Sequence, residues 1–176
     1  MGADGVELDV HESADGLFLV HHDPEVPDDP PRLEEALEVL DEGGHVVVFV
    51  EVKSLRDAPG LLRTLAPWRG KLDLRPMSFD LAIVKSLAGD FPLGVIANAP
   101  GTDPVSLLDG CRAGLLSLRE DAIDAALVET LHATGRELFA WTVNDPGRMR
   151  ALAALGVDGL ISDHPDRVAA VIQSSP

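Results

Sequence analysis

The run Val46-Val47-Val48-Phe49-Val50-Glu51-Val52-Lys53 constrains this chain more than any other segment. Side chains on a β-strand alternate between two faces. Here both faces are apolar for most of the length, which is the pattern of a buried central strand in a parallel sheet covered by helices. Val46, Val48, Val50 and Val52 share the helix-facing side. Val47, Phe49, Glu51 and Lys53 share the other, with both charges at the C-terminal end. The rest of the chain alternates short β-branched runs with longer segments of helical period, which predicts parallel strands joined by crossover helices.

Strands are expected at Gly5–Val10, Leu17–His22, His45–Lys53, Leu74–Phe79, Leu93–Ala97, Gly114–Leu118, Glu137–Val143 and Val157–Ser162. Helices are expected at Leu33–Leu40, Pro59–Leu65, Asp80–Leu87, Pro104–Arg112, Asp121–Thr134, Pro146–Leu155 and Pro165–Ile172. Asp145-Pro146 reads as an N-cap followed by proline at the first helical position, and Asp163-His164-Pro165 reads similarly. One pair breaks the alternation: the segment from His11 to Gly16 is too short for a helix and ends in an Asp-Gly turn signal. The second strand is therefore expected to return antiparallel, as an accessory hairpin outside the βα series. Asp23–Arg32, rich in Pro and Asp, is a loop.

Composition narrows the function. With 176 residues, 45% of them apolar, the chain can bury one sizeable core, yet a complete (β/α)₈ barrel typically takes about 250 residues. A formal net charge of -16 argues against nucleic-acid and anionic-membrane partners. Most of the basic residues are Arg, so each Lys stands out. Cys111 is the only cysteine, which fits a reducing compartment and rules out a cysteine-based zinc site. No apolar run approaches a transmembrane span, and Met1 leads into Gly2-Ala3-Asp4 without a signal region, so a cytoplasmic location is expected.

Three places carry chemistry. In Val6-Glu7-Leu8-Asp9-Val10, Glu7 and Asp9 share one strand face and the apolar residues share the other. In a closed parallel barrel the polar face points inward, near the end where active sites lie. Two carboxylates there are costly unless protonated, paired or bound to a cation, and hard oxygen ligands favour Mg²⁺, Ca²⁺ or Mn²⁺. The alternative is a solvated acidic face. Glu51 would bring a third carboxylate, with Lys53 suited to a phosphate oxygen. The alternative is a Glu51–Lys53 ion pair at a strand end. His21-His22-Asp23 closes the hairpin at the same rim, and one of the two histidines suits acid/base chemistry. Trp141 either lines a pocket against a substrate's carbon skeleton or belongs to the core.

With these residues in place, the chain resembles the glycerophosphodiester phosphodiesterases. Their sequences carry Gly-Ala-Asp-x-(Val/Ile)-Glu-x-Asp-Val, an Asp-Gly turn, a strand ending His-Asp, Leu-x-Glu-x-Leu, Glu-(Ile/Val)-Lys, Ser-Phe, Trp-Thr-Val-Asn and Gly-Val-Asp-Gly-(Ile/Leu)-x-(Thr/Ser)-Asp-x-Pro. This chain has Gly2 through Val10, Asp15-Gly16, His22-Asp23, Leu33 through Leu37, Glu51-Val52-Lys53, Ser78-Phe79, Trp141 through Asn144 and Gly156 through Pro165, in that order. The resemblance implies an α/β TIM-barrel domain over residues 1–176 that hydrolyses glycerophosphodiesters to glycerol 3-phosphate and an alcohol. It implies a divalent cation, Ca²⁺ or Mg²⁺, on Glu7, Asp9 and Glu51, with Lys53 helping to hold the phosphate; Trp141 stays the candidate for substrate binding that its own strand position suggests. It assigns acid/base work to His22, the histidine directly before Asp, and leaves His21 as a flanking residue.

The family pattern opens with a strand ending His-Arg-Gly and a following Glu-Asn-Thr, neither of which occurs here. The resemblance therefore implies a barrel without its first βα unit. The alternative expectation is an impaired fragment or remnant that binds a phosphorylated ligand or partner.

Overall fold

Aspartate supplies much of the local punctuation of this chain. In the computed structural model, which describes residues 3–44, 46–89 and 91–173, five helices begin at an Asp whose carboxylate accepts a backbone N–H of the first turn: Asp57, Asp80, Asp103, Asp124 and Asp145. Each satisfies a donor that the helix itself leaves open. The expected cap at Asp145 is among them, with Arg148 N–H at 2.8 Å. At Asp163 the bond runs differently: its carboxylate accepts the Asn144 amide at 2.8 Å, and the following helix starts one residue beyond His164.

The chain divides into two compact units. The first, Asp4–Leu93, holds β1 (Gly5–Glu12), β2 (Phe18–Val20), α1 (Leu33–Glu42), β3 (Val47–Ser54), α2 (Ala58–Leu65), β4 (Asp73–Ser78) and α3 (Leu81–Ser86). Its strands lie in the order β2-β1-β3-β4. β1, β3 and β4 are parallel, and β2 returns antiparallel along the end of β1. The hairpin turns at Asp15-Gly16, where Gly16 takes φ 83°, a conformation that favours glycine. The antiparallel return is as the sequence predicts, although β2 is shorter than the expected Leu17–His22. The expected start of the third strand at His45 lies outside the described residues.

β3 is buried over most of its length, with Val48, Val50 and Val52 essentially inaccessible. Leu33 and Leu37 of α1 and Leu61 and Leu65 of α2 are also fully buried in this unit, so the β-branched run has its helical cover. Gly5 lets β1 start tight against β3: a Cβ there would lie 2.8 Å from the Val47 carbonyl oxygen. Backbone has little room to yield, so Gly5→Ala is expected to cost about 1–3 kcal/mol, read as a lower melting temperature by circular dichroism.

The second unit contains β5 (Gly94–Ala97), α4 (Pro104–Cys111), β6 (Leu115–Arg119), α5 (Ala125–His132), β7 (Glu137–Trp141), α6 (Pro146–Leu155), β8 (Gly159–Leu160) and α7 (Pro165–Gln173). Strands β5 to β8 lie in chain order, all parallel. Leu116, Leu118 and Leu138 from the strands and Leu108, Leu131 and Met149 from the helices form its core. The largest departures from expectation are here. The last strand contracts to Gly159–Leu160, and the segment predicted as one helix from Asp121 opens as a 3₁₀ turn at Glu120–Ala122 before α5. Among the described residues, no helix is long and apolar enough to cross a membrane.

Candidate active site

The register of β1 against β3 builds the site. Parallel pairing sets Asp9 opposite Glu51, with Glu7 two residues back on the same face of β1. One oxygen of each carboxylate lies within 4.8 Å of the others. Glu51 is 8% exposed, and Glu7 and Asp9 are half-buried. The solvated-face alternative does not describe these residues.

Lys53, two residues beyond Glu51, turns its ammonium to Asp9 Oδ1 at 2.9 Å and also pairs with Glu51 Oε1. The ion-pair alternative thus holds for Glu51 and Lys53, but one ammonium faces three carboxylates. The imbalance falls on Glu7, whose buried Oε1 has no hydrogen-bond partner. Burial, reinforced by the Asp9 and Glu51 charges, pushes the Glu7 carboxyl up to about 8. Burial raises Glu51 as well, against the pull of Lys53. Burial alone would lower Lys53, but the Glu51 and Asp9 carboxylates outweigh it and hold the ammonium above its ordinary range. A carboxyl kept protonated at neutral pH beside two others is a group of ligands short of positive charge.

The histidines lie at the C-terminal ends of β1 and β2. His22 follows β2 with its ring 76% exposed and Nδ1 3.1 Å from Asp23 Oδ1. When protonated, its ring favours the ionised form of the Glu51 carboxylate. His21 is half-buried and stacks on His11, ring centroids 4.3 Å apart and planes at 10°. Burial and the neighbouring His21 ring both lower the pKa of His11 and favour its neutral form. Sequence reasoning passed over His11, although it continues the alternation Glu7-Asp9-His11 along β1. Glu12 was passed over too. Its nearly buried carboxylate accepts the Arg56 and Asp57 N–H groups, the latter at 2.9 Å, and pins the loop after β3.

The structure thus brings Glu7, Asp9, Glu51 and Lys53 together, with His22 within electrostatic reach. Trp141 stands at the end of β7 in the second unit, half-buried and paired in register with Arg119. Ser78 of the Ser-Phe motif has a structural bond, its hydroxyl donating to the Val52 carbonyl at 2.6 Å.

The family model described as the glycerophosphoryl diester phosphodiesterase family matches residues 81–167, a span that excludes the acidic cluster. A glycerophosphodiester phosphodiesterase of Caldanaerobacter subterraneus aligns at 26% identity over 94% of this chain and 84% of its own length. Two other relatives, from Bacillus subtilis and Mycobacterium tuberculosis, align over 22% and 17% of their own lengths. Among solved structures, a phosphodiesterase of Oleispira antarctica in complex with the product sn-glycerol-3-phosphate superposes with TM-score 0.88 at 23% identity, covering 98% of this chain and 86% of that one. The glycerophosphodiester phosphodiesterase of Thermotoga maritima superposes with TM-score 0.71 at 21% identity, covering 99% and 86%. Likeness of this extent places the chain in the same α/β class, the TIM-barrel type expected above.

Proposed function

We propose that this chain, which belongs to the glycerophosphodiester phosphodiesterase family, a family of phosphoric diester hydrolases, hydrolyses glycerophosphodiesters to glycerol 3-phosphate and an alcohol at a divalent cation, Ca²⁺ or Mg²⁺. The observation that carries the proposal is the cluster of Glu7, Asp9 and Glu51, whose oxygens lie within 4.8 Å of one another and face one ammonium. The donor set fits a hard cation: three carboxylates on two rigid strands, one with a buried oxygen that lacks a partner. When bound, such a cation offsets charge that develops on the phosphoryl oxygens.

The remaining roles belong to the chain's own residues. Lys53 has three donors; two meet Asp9 and Glu51, and the third is directed to a phosphate oxygen. His22 exchanges a proton with the nucleophile or the leaving alkoxide, and its exposure keeps it in contact with solvent protons. The relative solved with sn-glycerol-3-phosphate supports this substrate class.

The test is hydrolysis of glycerophosphocholine by the purified chain with calcium, with magnesium and with chelator. Turnover that chelator abolishes supports the reading; turnover indifferent to chelator overturns the metal assignment. Glu51→Gln is expected to weaken calcium or magnesium binding by about 100-fold or more, given that even supporting residues around a metal are worth about 10–100-fold. Isothermal calorimetry measures this directly, and unchanged affinity would remove Glu51 from the site.

A further inference from the structure

His21 lies outside the roles assigned above, yet it is held more firmly than the histidine it precedes. Its backbone N–H donates to the carbonyl of Asp9 at 3.0 Å, which ties the end of β2 to the strand residue that bears a site carboxylate. Its ring Nδ1 lies 2.7 Å from the carbonyl oxygen of Asp23. A carbonyl only accepts, so Nδ1 carries a proton and donates this bond, while the buried Nε2 has no hydrogen-bond partner. The flat face of the ring rests on His11, itself within 3.5 Å of the Ser54 hydroxyl on β3. His21 is thereby anchored to β1 twice, through backbone and ring, and its side chain closes the turn onto Asp23.

His22 is the residue inside that turn. Its ring is 76% exposed and pairs with the adjacent Asp23, which belongs to the same turn. A solvent-exposed ring on a loop gains its direction from its backbone, and the backbone on either side of His22 is fixed by bonds that His21 makes.

We propose that His21 is a positioning residue: its Nδ1–H···O=C bond to Asp23 and its stack on His11 hold the His21–Asp23 turn so that the His22 imidazole is presented at the rim of the carboxylate cluster. This rests on the reading of His22 as the acid/base group. The stack fixes where the turn sits, and the hydrogen bond fixes its closure.

Three variants separate these contributions. His21→Phe keeps a flat ring on His11 and removes the donor. His21→Asn keeps an amide N–H near the place of Nδ1 and removes the ring. His21→Ala removes both. The first readout is independent of turnover: ¹⁵N relaxation of the His22 and Asp23 backbone amides, with and without calcium. Order parameters near about 0.85 in the wild type are expected to fall below about 0.6 in His21→Phe and His21→Ala, and to stay near wild type in His21→Asn. The second is steady-state kinetics on glycerophosphocholine, with His22→Ala as the reference. Misplacement of a catalytic group by about 1 Å costs about 10²-fold in rate, so His21→Phe is expected to lose kcat on that scale with KM nearly unchanged, and His21→Asn to recover most of it. Rigid His22 and Asp23 amides in both His21→Phe and His21→Ala would overturn the proposal, whether or not the chain turns over substrate. So would wild-type kcat in His21→Phe alongside a depressed His22→Ala. A wild-type kcat in His22→Ala would instead remove His22 from the acid/base role, while the order parameters still decide whether His21 holds the turn.

Discussion

In the presence of chelator at about pH 8, Glu7→Gln is expected to melt at a higher temperature than the wild-type protein, and the gap is expected to close toward about pH 4.5. The sign follows from proton uptake. The unfolded chain releases the Glu7 proton near 4.5, whereas burial and the Asp9 and Glu51 charges hold it in the folded chain up to about 8. Between those values the folded state binds more protons than the unfolded state, so the stability of the metal-free wild type falls as pH rises. Below 4.5 both states are protonated and the contribution vanishes. Gln is neutral throughout and fills the same space, so its melting temperature lacks this slope. One pKa unit corresponds to about 1.4 kcal/mol, so the displacement at Glu7 amounts to several kcal/mol and a gap of about 5 °C or more at the alkaline end. Added calcium or magnesium is expected to reverse the order, since binding at a hundredfold excess over Kd stabilises a folded state by about 2.7 kcal/mol and the variant lacks one ligand. Melting curves followed by circular dichroism from about pH 4.5 to pH 8, with chelator and then with metal, provide the check. Parallel pH profiles for the two proteins would show that Glu7 is not held protonated.

His22→Ala is expected to lower kcat for glycerophosphodiester hydrolysis by about 10²–10⁴, while metal affinity and melting temperature stay close to wild type. The ring is exposed and belongs to no core, so its removal leaves no cavity. It is also absent from the three carboxylates that would hold the cation, so calorimetric titration with calcium should be unchanged. Loss of an acid/base group also flattens the limb of the pH–rate profile that it governs. The same exposure makes rescue practical: added imidazole reaches the vacated position from solvent and is expected to restore part of the rate. A rate loss accompanied by lost calcium affinity would instead place His22 among the groups that hold the cation. These outcomes separate His22→Ala from Glu51→Gln, whose loss of rate is expected to follow its loss of metal.

Much of the candidate site was legible because strand chemistry is periodic. Glu7 and Asp9 stand two apart, as do Glu51 and Lys53, and spacing of two puts each pair on one strand face. The β-branched run that ends at Glu51 identified its strand as buried, and hence its charges as ones that need partners. The helices were legible through their caps, since an Asp before a helical segment satisfies a donor that no tertiary contact is needed to explain. The histidines were less legible. Adjacent residues point opposite ways, so spacing could not say which of His21 and His22 turns inward, and nothing local shows that His21 would meet a histidine ten residues earlier. Short strands suffered for the same reason: Gly159–Leu160 is a strand through its pairing with β7, and a two-residue pairing leaves almost no periodic signal.

The sequence by itself determined the α/β alternation, the antiparallel hairpin at Asp15-Gly16, the face on which each acidic residue lies and the family pattern those residues follow. All of these depend on local rules: alternation along a strand, helical period, turn and cap chemistry. Tertiary structure decided the rest. Register between β1 and β3 set Asp9 beside Glu51, the ammonium of Lys53 turned to bridge them, and burial left Glu7 with an oxygen that has no partner. Register and burial are sums over contacts far apart in the chain, so a pair of carboxylates that reads as ordinary strand surface becomes a site short of positive charge when a second strand brings a third.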